Sequence, residues 1–141
     1  MAGLTIHKLI FMAEQARIDE VRPAALAAFG GRAALTAALG GMLEVLPLGA
    51  SKGASVAWLL QRLGVSPGRC MALGDGENDV EMLRLAGLGV AVGNAGPAAR
   101  AAADVVVGSN DEDGVAQAIE RFVLRPRGLG LEGAAGGLPR R

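Results

Sequence analysis

The chain has no tyrosine, three phenylalanines and one tryptophan, so aromatic residues make up only 3% of it. Proteins that hold single-stranded nucleic acid stack bases on aromatic side chains, and such a platform is not expected here. Charge of one sign is also lacking: 14 Lys and Arg balance 14 Asp and Glu. No basic excess draws nucleic acid, and no acidic tail is present. The single cysteine, Cys70, excludes an internal disulfide framework and a Cys-rich zinc site. Within its apolar run it reads as a small buried hydrophobe rather than a nucleophile. The single histidine, His7, falls on an expected strand, which leaves Ser–His and Cys–His hydrolysis little support. No apolar run is long enough to span a bilayer. Residues 1–8 lack the basic segment and long apolar core of a signal peptide, and the Ser- and Arg-rich character of a transit peptide. The expectation is a soluble intracellular chain, cytoplasmic by default, with neither nucleic acid nor membrane as partner.

What is present suits one packed domain: 141 residues, 51% hydrophobic and 20% charged. Residues 5–13 are apolar and β-branched enough for a strand. Residues 18–29 carry apolar positions at Ile18, Val21, Leu26 and Phe29, with Asp19 and Glu20 in the first turn of an expected helix. Residues 33–39 and 42–46 read as two strands around Gly40-Gly41, closed by Pro47. From Leu48 the pattern alternates. Helices are expected over 51–63, 80–86, 97–103 and 113–124, and strands over 70–73, 89–92 and 105–107. In the first of these helices Val56, Leu59, Leu60 and Leu63 share a face, and Gly64 ends it. Strands alternating with helices indicate a parallel sheet, and short apolar strands indicate one covered on both faces. Residues 125–141, rich in Gly, Pro, Leu and Arg, read as a disordered tail.

The most informative stretch is Gly74-Asp75-Gly76-Glu77-Asn78-Asp79. It follows an apolar strand and opens a helix, where ligands bind in open α/β sheets. Asp75 and Asp79, four residues apart, can aim both carboxylates at one spot. Hard divalent cations such as Mg2+ take oxygen ligands of this kind. Helix capping explains Asp79 on its own but explains Asp75 less well. An EF-hand is excluded, because its sixth and twelfth positions would hold Val80 and Ala86. Lys52 lies in the first turn of a helix and opposes its dipole, which asks for an anionic partner. The GxxxxGK(S/T) spacing of a phosphate-binding loop is absent, and Ser51 reads as an N-cap. Asn94, in Gly93-Asn94-Ala95, either caps the helix that follows or lines the same pocket. Residues 109–114 read as a capping turn rather than a second metal site.

These motifs, in this order, resemble those of the haloacid dehalogenase-like superfamily of phosphohydrolases, and its Cof-type branch with the large α/β cap in particular. The likeness covers residues 43–124 well and residues 3–42 more weakly. It implies an α/β fold: the C-terminal part of a Rossmannoid core with a parallel sheet (48–124), preceded by a partial α+β cap (1–47), with the tail at 125–141. It also implies phosphoryl transfer through an aspartyl-phosphate on a small phosphomonoester, sugar phosphates included, with Mg2+ as cofactor. Lys52 would steady the phosphate charge. Asp75 and Asp79 would hold the metal, directly or through water, and Asn78 and Asn94 would contact the phosphate.

One departure is large. The nucleophile motif of the family, an apolar strand followed by DxDGT, is absent, and the only Asp before Asp75 is Asp19, on an expected helix. The Ser/Thr motif that contacts phosphate is not identifiable either. The expectation is a chain lacking the N-terminal half of the family fold and inactive alone, with a plastid location open for a longer form. A truncated, non-catalytic paralogue acting as a metal-binding or regulatory module is the other reading. A response-regulator receiver ranks below both, because no acidic pair opens the chain.

Overall fold

A computed structural model describes residues 6–127. Two three-stranded sheets organise the chain. The first is antiparallel, in the order β1 (Leu9–Met12), β3 (Met42–Pro47), β2 (Ala33–Thr36). Helix α1 (Gln15–Phe29) packs on one face of it, with Ile18 and Ala25 buried against Leu43. The alternation of a half-buried strand sends Leu43 and Val45 to that face and Glu44 and Leu46 to the other. Strand β1 pairs with β3 from Leu9 opposite Val45 to Met12 opposite Met42, yet all four of its side chains are exposed.

The second sheet is parallel, in the order β4 (Met71–Gly74), β5 (Leu88–Ala91), β6 (Val105–Val106). All four residues of β5 are buried, because both of its faces are covered. On one side Ala72, Ala91 and Val92 pack against Leu83 of α3 (Val80–Leu85) and Ala99 and Ala102 of α4 (Pro97–Ala102). On the other, Leu88 and Val90 pack against Ala118 and Phe122 of α5 (Gly114–Ile119) and the π turn Glu120–Leu124 that continues it. The expected α/β class with a parallel, doubly covered sheet is therefore present. Cys70 is half-buried and packs against the first of these clusters.

Three details depart from the sequence reading. In α2 (Lys52–Leu63) only Leu60 of the apolar face is buried, while Leu59 and Leu63 are exposed. This helix packs along α3 rather than across the parallel sheet, so the contact covers a narrower stripe. In α5, Val115 and Ile119 are exposed and the buried stripe runs through Ala118 and Phe122. The small Ala118 lets the helix approach β5, and the π turn rotates the following residues. Of the expected tail, residues 125–127 form a further turn, and 128–141 lie outside the described residues. Thr5, at the start of the first expected strand, also lies outside them.

Candidate active site

The loops that follow β4, β5 and β6 emerge at the same end of the parallel sheet, since Gly74 pairs with Ala91 and Ala91 with Val106. They are tied to one another. The Gly96 N–H donates to the Asp75 carbonyl at 2.8 Å, and the Gly93 N–H donates to the Gly108 carbonyl at 2.9 Å. The Asn110 N–H donates to Asn94 Oδ1 at 3.0 Å. Asn94 therefore does not cap α4, whose N-cap is Gly96. Its carbonyl holds the next loop in place. The 109–114 turn is a capping box as expected, with the Ser109 N–H and hydroxyl both donating to Glu112.

Asp79 is the structural centre of the loop. It is 2% exposed. Its Oδ2 accepts from the Asp75 and Gly76 N–H groups, both at 3.0 Å. Its Oδ1 accepts from Lys52 Nζ at 2.5 Å. Burial pushes this carboxyl upward, but the Lys52 hydrogen bond, the two N–H donors and the Lys52 charge outweigh it. The net direction is below the ordinary value of 3.8.

Two glycines make the arrangement possible. A Cβ on Gly74 would lie 2.5 Å from the Asp79 Cβ, so only glycine lets Asp79 fold back against the strand end. A Cβ on Gly53 would lie 2.5 Å from the Glu81 Cβ, so only glycine lets the start of α2 approach α3. That approach brings Lys52 to Asp79. Ser51 caps α2 by accepting from the Ala54 N–H at 3.0 Å, and its hydroxyl donates to Glu81. The placement of Lys52 against its helix dipole thus has a local reason: a buried carboxylate within hydrogen-bond reach.

Asn78 Oδ1 lies 3.4 Å from Lys52 Nζ, at the long end of a hydrogen bond. Its neighbour Glu77 forms a two-pronged pair with Arg22 of α1, with Arg22 Nη1 at 2.9 Å from Glu77 Oε2 and Nη2 on Oε1. The Glu77 contact raises the Arg22 guanidinium further. This pair ties the antiparallel unit to the acidic loop across 55 positions of sequence, and no local pattern announces it.

Asp75 is exposed, and its carboxylate forms no hydrogen bond or ion pair among the described residues. Among those residues no cluster of three or more His, Cys, Asp or Glu side chains gathers as a metal cage. The donor set nevertheless fits Mg2+ in its usual mode. That ion is bound through one or two carboxylates, keeps several waters and completes its shell with substrate phosphate. Asp75 has open oxygens, and Asp79, its lone pairs largely engaged, would act through water.

A cavity of about 940 Å³ opens beside this loop. Lys52 and Asn78 line it, as do Glu44, Leu46 and Thr36 from the sheet face opposite α1. Asp75 and Asn94 are not among its walls.

The chain is thus an α/β protein with a lysine-paired acidic loop at the C-terminal end of its parallel sheet. The family described as haloacid dehalogenase-like hydrolase matches residues 2–119. The chain belongs to that family, in its Cof-type branch. It is 50% identical over 125 residues to the chloroplastic endoribonuclease YBEY of Arabidopsis thaliana, covering 88% of this chain and 21% of that protein. It is 45% identical over 82 residues to the 5-amino-6-(5-phospho-D-ribitylamino)uracil phosphatase YcsE of Bacillus subtilis, covering 58% of this chain and 33% of that one. A haloacid dehalogenase-like hydrolase from Bacteroides thetaiotaomicron superposes with a TM-score of 0.68 at 35% identity, over 85% of this chain and 45% of the other. The chain thus spans a third or less of these two curated relatives and under half of the solved structure. Among the described residues no helix is long and apolar enough to cross a membrane.

Proposed function

We propose that this chain carries the metal-binding and charge-stabilising side of a phosphomonoester hydrolase centre, and that the attacking carboxylate comes from a segment outside it. The observation that supports this most is the pairing of Lys52 with buried Asp79 beneath the open carboxylate of Asp75. In this reading residues 1–47 are part of a cap and residues 48–124 the C-terminal half of the core. Lys52 neutralises phosphate oxygens, Asn78 orients Lys52, and Asn94 offers its amide N–H to the phosphate. Mg2+, held by Asp75 and through water by Asp79, would supply charge neutralisation on the phosphoryl group. Catalysis of this kind rests on positioning and electrostatics rather than on many reacting protein groups. A small phosphorylated metabolite is the substrate class, sugar phosphates included. The phosphatase named in Bacillus subtilis supports that class, and the chloroplastic relative supports a plastid location for a longer form.

The chain alone is expected to give negligible turnover of p-nitrophenyl phosphate with Mg2+. A separately supplied N-terminal segment bearing DxDGT is expected to restore it. Turnover by the isolated chain that disappears in Asp75→Ala would show that the nucleophile is already present, against this reading.

A second reading has one observation of its own. The Arabidopsis relative matches over only 21% of its length and is named for a different activity. That favours a haloacid dehalogenase-like unit serving as a non-catalytic, metal-binding or regulatory module. Failure of the DxDGT segment to restore turnover, with Mg2+ binding intact, would select it.

A further inference from the structure

Glu44 sits in the middle of β3, opposite Ile10 of β1 and Thr36 of β2, on the sheet face that α1 leaves uncovered. It is 5% exposed. Burying a carboxylate is costly unless its oxygens are paired. Here only one oxygen is: Lys8 Nζ donates to Oε1 at 2.9 Å. Oε2 accepts no hydrogen bond among the described residues. Among the same residues, every fully buried side-chain oxygen and nitrogen has a partner. Oε2 is therefore not fully enclosed, and Glu44 lines the cavity together with Lys8. A carboxylate kept only for the Lys8 pair would not need to stand inside a cavity wall with one oxygen open. Lys8 is itself substantially exposed and would hold a surface acid as readily.

We propose that Glu44 is a specificity-determining residue. Its open oxygen accepts a hydrogen bond from a hydroxyl or N–H on the alcohol portion of a phosphomonoester whose phosphate lies at Lys52. The proposal rests on the reading of Lys52 given above. It selects alcohols that carry donors over alkyl chains of the same length. The apolar neighbours of Glu44, such as Leu46, exclude water from that contact and strengthen it.

The test compares arabinitol 5-phosphate with n-pentyl phosphate, which share a five-carbon skeleton and differ in their hydroxyls. Both are titrated into the 141-residue chain with Mg2+ and followed by calorimetry or chemical-shift change. The polyol phosphate is expected to bind about tenfold more tightly, the scale of a hydrogen bond to a charged acceptor. Glu44→Gln is expected to reduce that advantage several-fold and leave pentyl phosphate affinity unchanged, a retained affinity that also reports an intact fold. Lys52→Ala is expected to weaken both ligands alike. Equal binding of the two by the unmodified chain overturns the role of Glu44 alone, whatever the variant does. An unchanged preference in Glu44→Gln overturns it as well. No binding of either ligand at millimolar concentration overturns the phosphate-site reading and this inference with it.

Discussion

Leu83→Ala is expected to lower the stability of the chain by about 3 kcal/mol, within the range for a fully enclosed leucine truncated in a packed core. Leu83 is 0% exposed and meets the alanine-rich cluster of Ala72, Ala86, Ala91, Ala99 and Ala102. Its neighbours are too short to close over the space it would vacate, and their backbones are fixed by β4, β5 and α4. The void would therefore persist rather than collapse. Denaturant unfolding should show a lower midpoint with an unchanged slope. A loss below about 1 kcal/mol would mean that the cluster is not packed as described.

Asp79→Ala is expected to remove both stability and site geometry. Two backbone N–H groups, on Asp75 and Gly76, lose their acceptor, and Lys52 loses its anion. An orphaned buried donor costs about 1–3 kcal/mol, and water reaching the exposed Asp75 side limits the loss to roughly 2 kcal/mol. Asp79→Asn keeps an acceptor for the N–H pair and should lose less. The acid dependence has a definite sign. The Asp79 carboxyl is held below its ordinary value of 3.8 in the folded chain. Its contribution is complete above that value and is lost as the pH falls below it, through the folded pKa. The stability gap between the unmodified chain and Asp79→Asn should thus be constant near neutrality and shrink in acid. A gap that widened as the pH fell would contradict the assignment of Lys52 and the two N–H groups as the partners.

Much of the fold was legible because local signals were strong. Gly64 ends α2 in the left-handed conformation that glycine favours, and Ser51 caps its start. The apolar run ending at Gly74 became β4, and residues 88–91 became a strand buried on both faces. The sequence lets Asp75 and Asp79 aim both carboxylates at one spot, with helix capping as a further explanation for Asp79 alone. The structure separates them, because Asp79 turns inward to organise the loop while Asp75 faces out. That division depends on the room Gly74 leaves, a tertiary fact. Asn94 gave no sign that its carbonyl would hold Asn110, sixteen positions on. Arg22 with Glu77, and Glu44 with Lys8, were missed for a similar reason. Each pair joins residues far apart in sequence, and Glu44 sits in a strand that reads as ordinary alternation. The overestimated face of α2 has a physical cause too: periodicity reports which residues share a side, not which neighbour covers them.

Asp75 and Asp79 are proposed above as the protein's share of a Mg2+ site at the end of β4. A Mg2+ titration of the melting temperature tests it most directly, since an ion that binds the folded chain must stabilise it. The melting temperature of the unmodified chain is expected to rise, and the rise to be lost in Asp75→Ala. The metal-free melting temperature should be nearly unchanged in that variant, because the Asp75 carboxylate holds nothing else among the described residues. No rise with Mg2+, or a rise that survives intact in Asp75→Ala, would contradict it.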